Sequence, residues 1–357
     1  MGFSRRALWG GLFSQFSSSE LRSYNFFSFL AFSILLANLA LLLGNLRRLV
    51  AMGDSRMTGC ALVFASSMAL VMLAHTVGYS EQAGLLLVLL TLRISAFWPR
   101  LAFAWVGLTF ALLLHEAAFI LFFPCLLFVL ALAMPHERRF WCMAALAGFC
   151  LYGGFLTLFL PHFVLDAGQV ETLRQHLAGI SQLPLRPDAI DVLGRTSFAQ
   201  TQVIAAVWSS GLGWYLEYFK SVLVTWPVTV TLIVAIIGTL MRRGLGYAWK
   251  LLAVGACISP LLLLLVAYDI HRFNALTAMV AFLVLSACGE RQERAGVASV
   301  RWSGLPLWCV LLLLLNGMSS IYLFEVYHVR SFPFADLIQY MRDMGSGAQP
   351  FPPVPSG

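Results

Sequence analysis

Runs of Leu, Phe, Val and Ala recur along the chain and alternate with short polar junctions. A hydrocarbon core about 30 Å thick needs about 20 apolar residues per helix, and backbone groups in lipid must pair within the helix. The pattern therefore predicts spans at residues 25–44, 57–77, 82–94, 101–114, 117–134, 140–160, 219–241, 249–267, 273–288 and 305–324. We expect an all-α fold class, a polytopic integral membrane helical bundle with about 9–10 transmembrane segments.

The apolar stretch 101–134 is too long for one ordinary span, and His115 and Glu116 interrupt it. Two polar residues at the centre of a single span would be costly, whereas a polar junction between two short helices is not. We therefore expect two short helices or half-helices that meet at these residues.

Composition excludes a water-soluble domain, because 60% of the residues are hydrophobic and only 11% are charged. The formal net charge of +7 comes from short Arg clusters between apolar spans, such as Arg47 with Arg48 and Arg242 with Arg243. Such clusters indicate membrane topology and not a nucleic-acid surface. The seven cysteines lie almost entirely inside apolar segments without CxxC spacing, which favours small buried side chains over a zinc site or disulfides.

Basic residues fill alternate junctions, so the positive-inside rule orients the chain. Five junctions, around residues 47–56, 93–100, 138–139, 242–250 and 291–301, are expected to be cytoplasmic. The domain boundaries follow: an external or interfacial segment 1–24, a bundle 25–324 with an external loop 161–218, and an external tail 325–357. These boundaries place the start of the chain, with Arg5 and Arg6, on the outer face, against the positive-inside rule. We therefore expect either an interfacial helix near residues 8–16 or a natural chain that begins further upstream.

The conspicuous polar groups fall on the outward junctions. They are His75, Tyr79, Glu81 and Gln82 at the first junction, His115 and Glu116 at the second, and Asp269, His271 and Arg272 at the last. A carboxylate can take the proton of a hydroxyl, and an Arg fork can hold phosphate oxygens. This set is typical of sugar transfer from a lipid-phosphate donor.

Each of these groups also has a structural interpretation. A carboxylate at headgroup depth is reached by water, an Arg at a helix start pairs with a nearby Asp or with lipid phosphate, and an interfacial Tyr belongs to the aromatic belt. His and acidic residues suitable for a divalent ion are present, but no spacing fixes a ligand set, so we expect no cofactor. Nucleotide-binding and nucleophile-elbow motifs are absent from the sequence.

Residues 69–94 (ALVMLAHTVGYSEQAGLLLVLLTLRI) and 108–132 (LTFALLLHEAAFILFFPCLLFVLAL) resemble bacterial membrane proteins of exopolysaccharide assembly, the EpsG-like polymerases and the wider GT-C glycosyltransferases. The resemblance covers about half of the chain and is a pattern of helices. Glu81 matches the acidic residue after a small-residue turn, and His115 with Glu116 matches the polar start of a Pro-containing helix. Asp269 and Arg272 match a late outward junction. The acidic motif of the first GT-C external loop is missing, since only Glu20 lies in that region.

The resemblance implies a multi-pass glycosyltransferase or polysaccharide polymerase of hexosyltransferase type in a bacterial inner membrane. Its partners would be a polyprenyl-(pyro)phosphate-linked saccharide, membrane lipids and export or assembly proteins, with no nucleic acid. The expected catalytic residues are Glu81, Glu116 and Asp269, and the expected substrate-binding residues are His75, Tyr79, Gln82, His115, His271 and Arg272. Neutralising any of the three carboxylates is expected to abolish glycan output.

Two other functions remain open on the sequence. One is a transporter or flippase for a lipid-linked saccharide, and the other is a noncatalytic subunit of an export complex. A transporter is expected to show internal repeats and charges at mid-membrane depth, whereas this sequence places its charges at one edge. That difference favours an enzyme.

Overall fold

The structure is a computed structural model of the 357-residue chain. It describes residues 20–76, 79–115, 117–159, 164–180, 191, 194–195, 197–209, 211–265, 267, 269–294, 306–321 and 327–329. All but a few of these residues are helical, as expected for backbone that must satisfy its hydrogen bonds in lipid.

The helices, numbered in chain order, are α1 Glu20–Ala51, α2 Ser55–Ala65, α3 Met68–His75, α4 Ser80–Arg93, α5 Phe97–Leu114, α6 Ala117–Leu132, α7 Arg139–Phe159, α8 Ala167–Ile180, α9 Ser197–Ser209, α10 Leu212–Arg242, α11 Tyr247–Ile258, α12 Ile270–Arg294 and α13 Leu307–Met318. Short 3₁₀ helices cover His136–Arg138 and Ser259–Leu265. Two three-residue strands, β1 Ser319–Ile321 and β2 Tyr327–Val329, pair antiparallel with Ser319 opposite Val329.

Among the described residues, six helices are long and apolar enough to cross a membrane, and the bent pair α2–α3 gives a seventh candidate. Helices α6 and α13 are apolar but shorter. The protein is therefore an all-α, multi-pass membrane bundle, which confirms the predicted fold class, although the six or seven span-length candidates in the described part of the chain are fewer than the 9–10 segments predicted.

Helix α12 forms the centre of the bundle. In its apolar stretch Ile270–Gly289, 94% of an 18-residue segment is buried inside the bundle, against 22–44% of the corresponding segments in the other five long helices. It packs against helices α3, α6, α10 and α11 and against the 3₁₀ helix Ser259–Leu265. The outer helices instead expose large apolar side chains, such as Phe29 on α1 and Leu151 on α7, as expected for surfaces that face lipid.

The predicted break at His115 and Glu116 is confirmed, since α5 ends at Leu114 and α6 begins at Ala117. The predicted single span 57–77 is instead two helices bent by 42° at residues 66–67. The bend follows from the Ser pair: Ser67 accepts a hydrogen bond from the Ala69 amide as the N-cap of α3. The last span ends at Met318, before the predicted 324, because β1 begins there.

The loop predicted at 161–218 contains α8 and α9 and the start of α10. Helix α1 begins at Glu20, five residues before the predicted span, and β2 lies within the predicted tail. The predicted interfacial helix near residues 8–16 and the Pro-rich end at 349–357 lie outside the described residues.

Candidate functional site

The starts of α4 and α12 meet at one end of the bundle. Glu81 lies in the first turn of α4, and Asp269 directly precedes α12, whose first turn carries Arg272. Asp269 acts as a cap, because its Oδ1 lies 3.4 Å from the Arg272 amide and its carbonyl accepts from the Phe273 amide at 3.1 Å. Two residues that lie 188 positions or more from Glu81 in the sequence are thereby brought beside it.

Arg272 lies between the two carboxylates. Its Nη1 is 3.8 Å from Glu81 Oε1, and its Nε is 3.2 Å from Asp269 Oδ2. A charge-assisted hydrogen bond has a length of about 2.7–2.9 Å, so neither carboxylate is in tight contact with the guanidinium. The Arg272 side chain is 16% exposed and that of Asp269 is 46% exposed.

Glu81 is the most enclosed of the three charged groups, at 9% exposure. Among the described residues, its Oε2 has no hydrogen-bond partner. A buried carboxylate oxygen without a donor costs free energy, about 1–3 kcal/mol or more for a charged group. Among the buried side-chain atoms of the described residues that lack a hydrogen-bond partner, Glu81 Oε2 is the one carboxylate oxygen, and we take it as the centre of the candidate site because such a group calls for an explanation.

Two aromatic rings hold the guanidinium in place. The Arg272 Cζ lies 5.0 Å from the centroid of the Tyr79 ring and 5.3 Å from that of the Phe273 ring. Stacking on aromatic faces restrains an Arg without using its hydrogen-bond donors. The donor fork of Arg272 is therefore oriented by contacts that would persist if its anionic partner changed.

The net charge of the cluster is small. Two carboxylates and one guanidinium sum to −1, and the N-termini of α4 and α12 each contribute about half a positive charge. Beside the cluster, Asn274 fixes α12 to α10: its Nδ2 donates to Ser221 Oγ at 2.8 Å, and its Oδ1 accepts from Trp226 Nε1 at 3.1 Å. These neutral bonds give the charged groups a rigid base.

The site lies at the end of the apolar stretch of one neighbouring helix and well inside that of another. Ser221, beside Asn274, is the first residue of the apolar stretch of α10. In contrast, Gln82 next to Glu81 is bonded to Asn38, which lies ten residues inside the apolar stretch Ser28–Ala51 of α1. Ten helical residues span about 15 Å, so the N-terminal part of α1 extends well past the site.

Gln82 was expected to bind substrate, but its amide is used inside the protein. The side chain is 2% exposed, and its Nε2 donates to the Leu73 carbonyl at 2.6 Å and to Thr76 Oγ1 at 3.2 Å. Asn38 Nδ2 donates to the backbone carbonyl oxygen of Gln82 and to the side-chain Oε1 of Gln82, each at 2.9 Å. Gln82 therefore joins α1, α3 and α4.

His115 has a capping role in the structure. Its Nδ1 accepts a hydrogen bond from the Ala117 amide at 3.0 Å at the start of α6. His271 lies partly buried in the first turn of α12, next to Arg272. Glu116 and the side chain of His75 lie outside the described residues, so their expected roles remain predictions.

Sequence reasoning missed Asn38, Phe273 and Asn274, which support the site. Asn38 had a detectable signal, because the buried residues of α1 recur at alternate spacings of four and three: Ala31, Leu35, Asn38, Leu42, Asn45 and Leu49. A polar residue in such a buried stripe needs a hydrogen-bond partner on a neighbouring helix. The partner itself could not be named from spacing alone.

Within the described part of the chain, no group of three or more His, Cys, Asp or Glu side chains is arranged to hold a metal ion. Comparisons of the chain with protein-family models, with curated proteins and with solved structures found no match. The site consists of a buried carboxylate with one oxygen that lacks a partner among the described residues, beside an oriented guanidinium.

Proposed function

We propose that this protein is a membrane glycosyltransferase or polysaccharide polymerase. It would transfer a sugar from a polyprenyl-(pyro)phosphate-linked donor during exopolysaccharide assembly, at the outer face of a bacterial inner membrane. The observation that carries the proposal is the open Oε2 of buried Glu81 beside Arg272. The resemblance of residues 69–94 and 108–132 to EpsG-like and GT-C proteins supports the same reaction class.

In the proposed step, Glu81 Oε2 accepts the proton of an acceptor hydroxyl. The hydroxyl oxygen forms a bond to the anomeric carbon while the bond from that carbon to the donor phosphate oxygen breaks, and the phosphate leaves with the electron pair. Arg272 stabilises the negative charge that develops on the phosphate. A positioned base contributes about 10²–10⁴-fold to such a step.

The loose ion pair fits this sequence of events. At 3.8 Å from Glu81, the guanidinium is free of a short bond to that carboxylate, so a phosphate oxygen can compete for its donors. Because the Tyr79 and Phe273 rings hold the guanidinium of Arg272, a phosphate can replace Glu81 as its partner without reordering of the Arg272 side chain. Glu81 is then left with its negative charge for the acceptor hydroxyl.

The outer half of α1 gives a donor lipid a place to lie. This helix extends about 15 Å past the level of Asn38 and exposes Phe29, Phe32 and Leu36. An apolar polyprenyl chain packs favourably against such a surface while its phosphate reaches Arg272. Membrane lipids and assembly proteins are the other proposed partners.

The test is mass spectrometry of lipid-linked saccharides and surface glycan from cells that carry the wild-type chain, Glu81→Gln or Asp54→Asn. Asp54 is a buried carboxylate at the opposite end of the bundle and serves as the matched control. We expect Glu81→Gln to accumulate outward-facing donor and to lose polymer, and Asp54→Asn to match the wild type. An unchanged glycan profile in Glu81→Gln would overturn the proposal.

A flippase for a lipid-linked saccharide is the second candidate. The 42° break between α2 and α3 favours it, because interrupted helices form the substrate sites of many transporters. Labelling with a reagent that does not cross the membrane separates the two functions. Donor that accumulates on the inner face would identify a flippase, whereas outward-facing donor would support the transferase.

A further inference from the structure

A clamp of hydrogen bonds fixes the turn that carries Glu81. It consists of Asn38 on α1, Gln82 on α4, and Thr76 with the Leu73 carbonyl at the end of α3. Asn38 is fully buried, and Gln82 directly follows Glu81 in the chain. Two bonds from Asn38 and two from Gln82 thus connect three helices at one residue.

Asn38 places a fully buried amide in an apolar span. Hydrogen bonds between helices contribute only modestly to stability in membranes, so helix packing alone does not account for this amide. Asn45, one heptad further along the same stripe, is also buried, and its Nδ2 has no hydrogen-bond partner among the described residues. Asn38 Oδ1 likewise has no partner among the described residues, but both bonds of Asn38 Nδ2 go to the residue beside Glu81.

The geometry of the ion pair needs such a restraint. An unrestrained Glu and Arg in a buried site would close to about 2.7–2.9 Å, often through both oxygens. Here Glu81 and Arg272 stay 3.8 Å apart, and Oε2 is left open. The guanidinium is restrained by Tyr79, Phe273 and Asp269, and the clamp restrains the backbone on the Glu81 side.

We propose that Asn38, acting through Gln82, is a positioning residue that holds Glu81 back from Arg272 and keeps its second oxygen open for the acceptor hydroxyl. This role rests on the proposed function. Misplacing a reacting group by about 1 Å costs up to about 100-fold in rate, so loss of the clamp would reduce transfer without any change at the reacting atoms.

The experiment compares Asn38→Leu with Asn45→Leu in the full chain in native membranes. Both variants replace a buried Asn of the same stripe by Leu, but only the first removes the clamp. The first readout does not depend on activity: it is the rate at which dicyclohexylcarbodiimide, an apolar reagent, modifies Glu81, measured by peptide mass spectrometry with Glu81→Gln as the blank. The second readout is polymer formation in the same membranes.

We expect Asn38→Leu to reduce both Glu81 modification and polymer formation at least about tenfold, since Glu81 closes onto Arg272, while Asn45→Leu stays within about twofold of wild type. Equal modification rates and equal polymer formation in the two variants would overturn the positioning role. If Asn38→Leu fails to reach the membrane, the isosteric Thr76→Val decides the question. It removes one bond of Gln82 and is expected to lower Glu81 modification about threefold.

The two proposals can fail separately. If Glu81→Gln still makes polymer but Asn38→Leu slows Glu81 modification, the clamp positions Glu81 and the proposed function is wrong. If Glu81→Gln stops polymer formation but Asn38→Leu behaves like Asn45→Leu in both readouts, the transferase stands and the positioning role is wrong.

Discussion

The two ends of the bundle each contain a buried carboxylate beside an Arg, but the carboxylates differ in how far they are satisfied. Asp54 Oδ1 accepts from the Arg56 amide at 2.9 Å as the N-cap of α2, and its Oδ2 lies 3.4 Å from Arg242 Nη1. Glu81 has one oxygen at 3.8 Å from Arg272 and the other without a partner among the described residues.

The surroundings of the two Arg side chains also differ. Arg242 is 46% exposed and pairs at the surface, whereas Arg272 is 16% exposed and stacked against two rings. A satisfied carboxylate with an exposed cation is sufficient to cap a helix. A carboxylate with an unpartnered oxygen beside a buried, oriented cation is not needed to cap a helix, and for that reason we propose Glu81, and not Asp54, as the base.

The largest expected effect is that of Glu81→Gln. Loss of the base is expected to lower polymer formation about 10²–10⁴-fold at a normal protein level in the membrane, because Gln keeps the size of the side chain and Arg272 keeps Asp269 as an anionic partner. Asp54→Asn keeps a good N-cap and is expected to leave polymer formation within about twofold. Equal activity losses in the two variants would remove the distinction between the two ends.

Arg272→Lys comes next. It keeps the positive charge but loses the planar fork and the ring stacking, and charged hydrogen bonds contribute about 1.5–3 kcal/mol, so transfer is expected to fall about 10–100-fold. Arg242→Lys is the matched control and is expected to stay near wild type, since exposed ion pairs contribute little. Single-turnover transfer at saturating donor measures both variants, and wild-type rates in Arg272→Lys would exclude phosphate stabilisation by this residue.

Asp269 is expected to contribute less than Glu81, because its side chain is half exposed and its capping role needs no charge. Asp269→Asn retains the cap and is expected to cost transfer about fivefold or less, far from the complete loss expected from sequence alone. Asp269→Ala should also lower the free energy of unfolding by about 1 kcal/mol. A complete loss of transfer in Asp269→Asn, at normal protein level, would place the base at Asp269.

The smallest effect is expected at Tyr79. The Tyr79→Phe variant keeps the ring over Arg272 and is expected to match wild type, whereas Tyr79→Ala loses a cation–π contact of about 0.5–1 kcal/mol and two- to fivefold in transfer. Donor-concentration curves for the two variants test this. A defect in Tyr79→Phe as large as that in Tyr79→Ala would show that the phenol oxygen, and not the ring, contacts substrate.

The helices and the gathering of Glu81, Asp269 and Arg272 at one end could be predicted from sequence, because apolar length and charge alternation report directly on the bilayer. The break at residues 66–67 could not, since a Ser pair is tolerated in many unbroken helices. The bonds that Gln82 and His115 make within the protein were also hidden, because an amide that joins helices and an imidazole that caps a helix have the same sequence signature as ligand-binding groups. Only the positions of Asn38, Leu73 and Thr76 around Gln82 distinguish these roles.

The burial of α12 has a consequence for biosynthesis. This helix lies near the end of the chain, yet it fills the space between helices made long before it, such as α3 and α6. Until residues 270–294 have been inserted by the translocon, the inner faces of those helices must be covered by lipid or by a chaperone. A ribosome that stalls before α12 would therefore leave these inner faces without their protein partner.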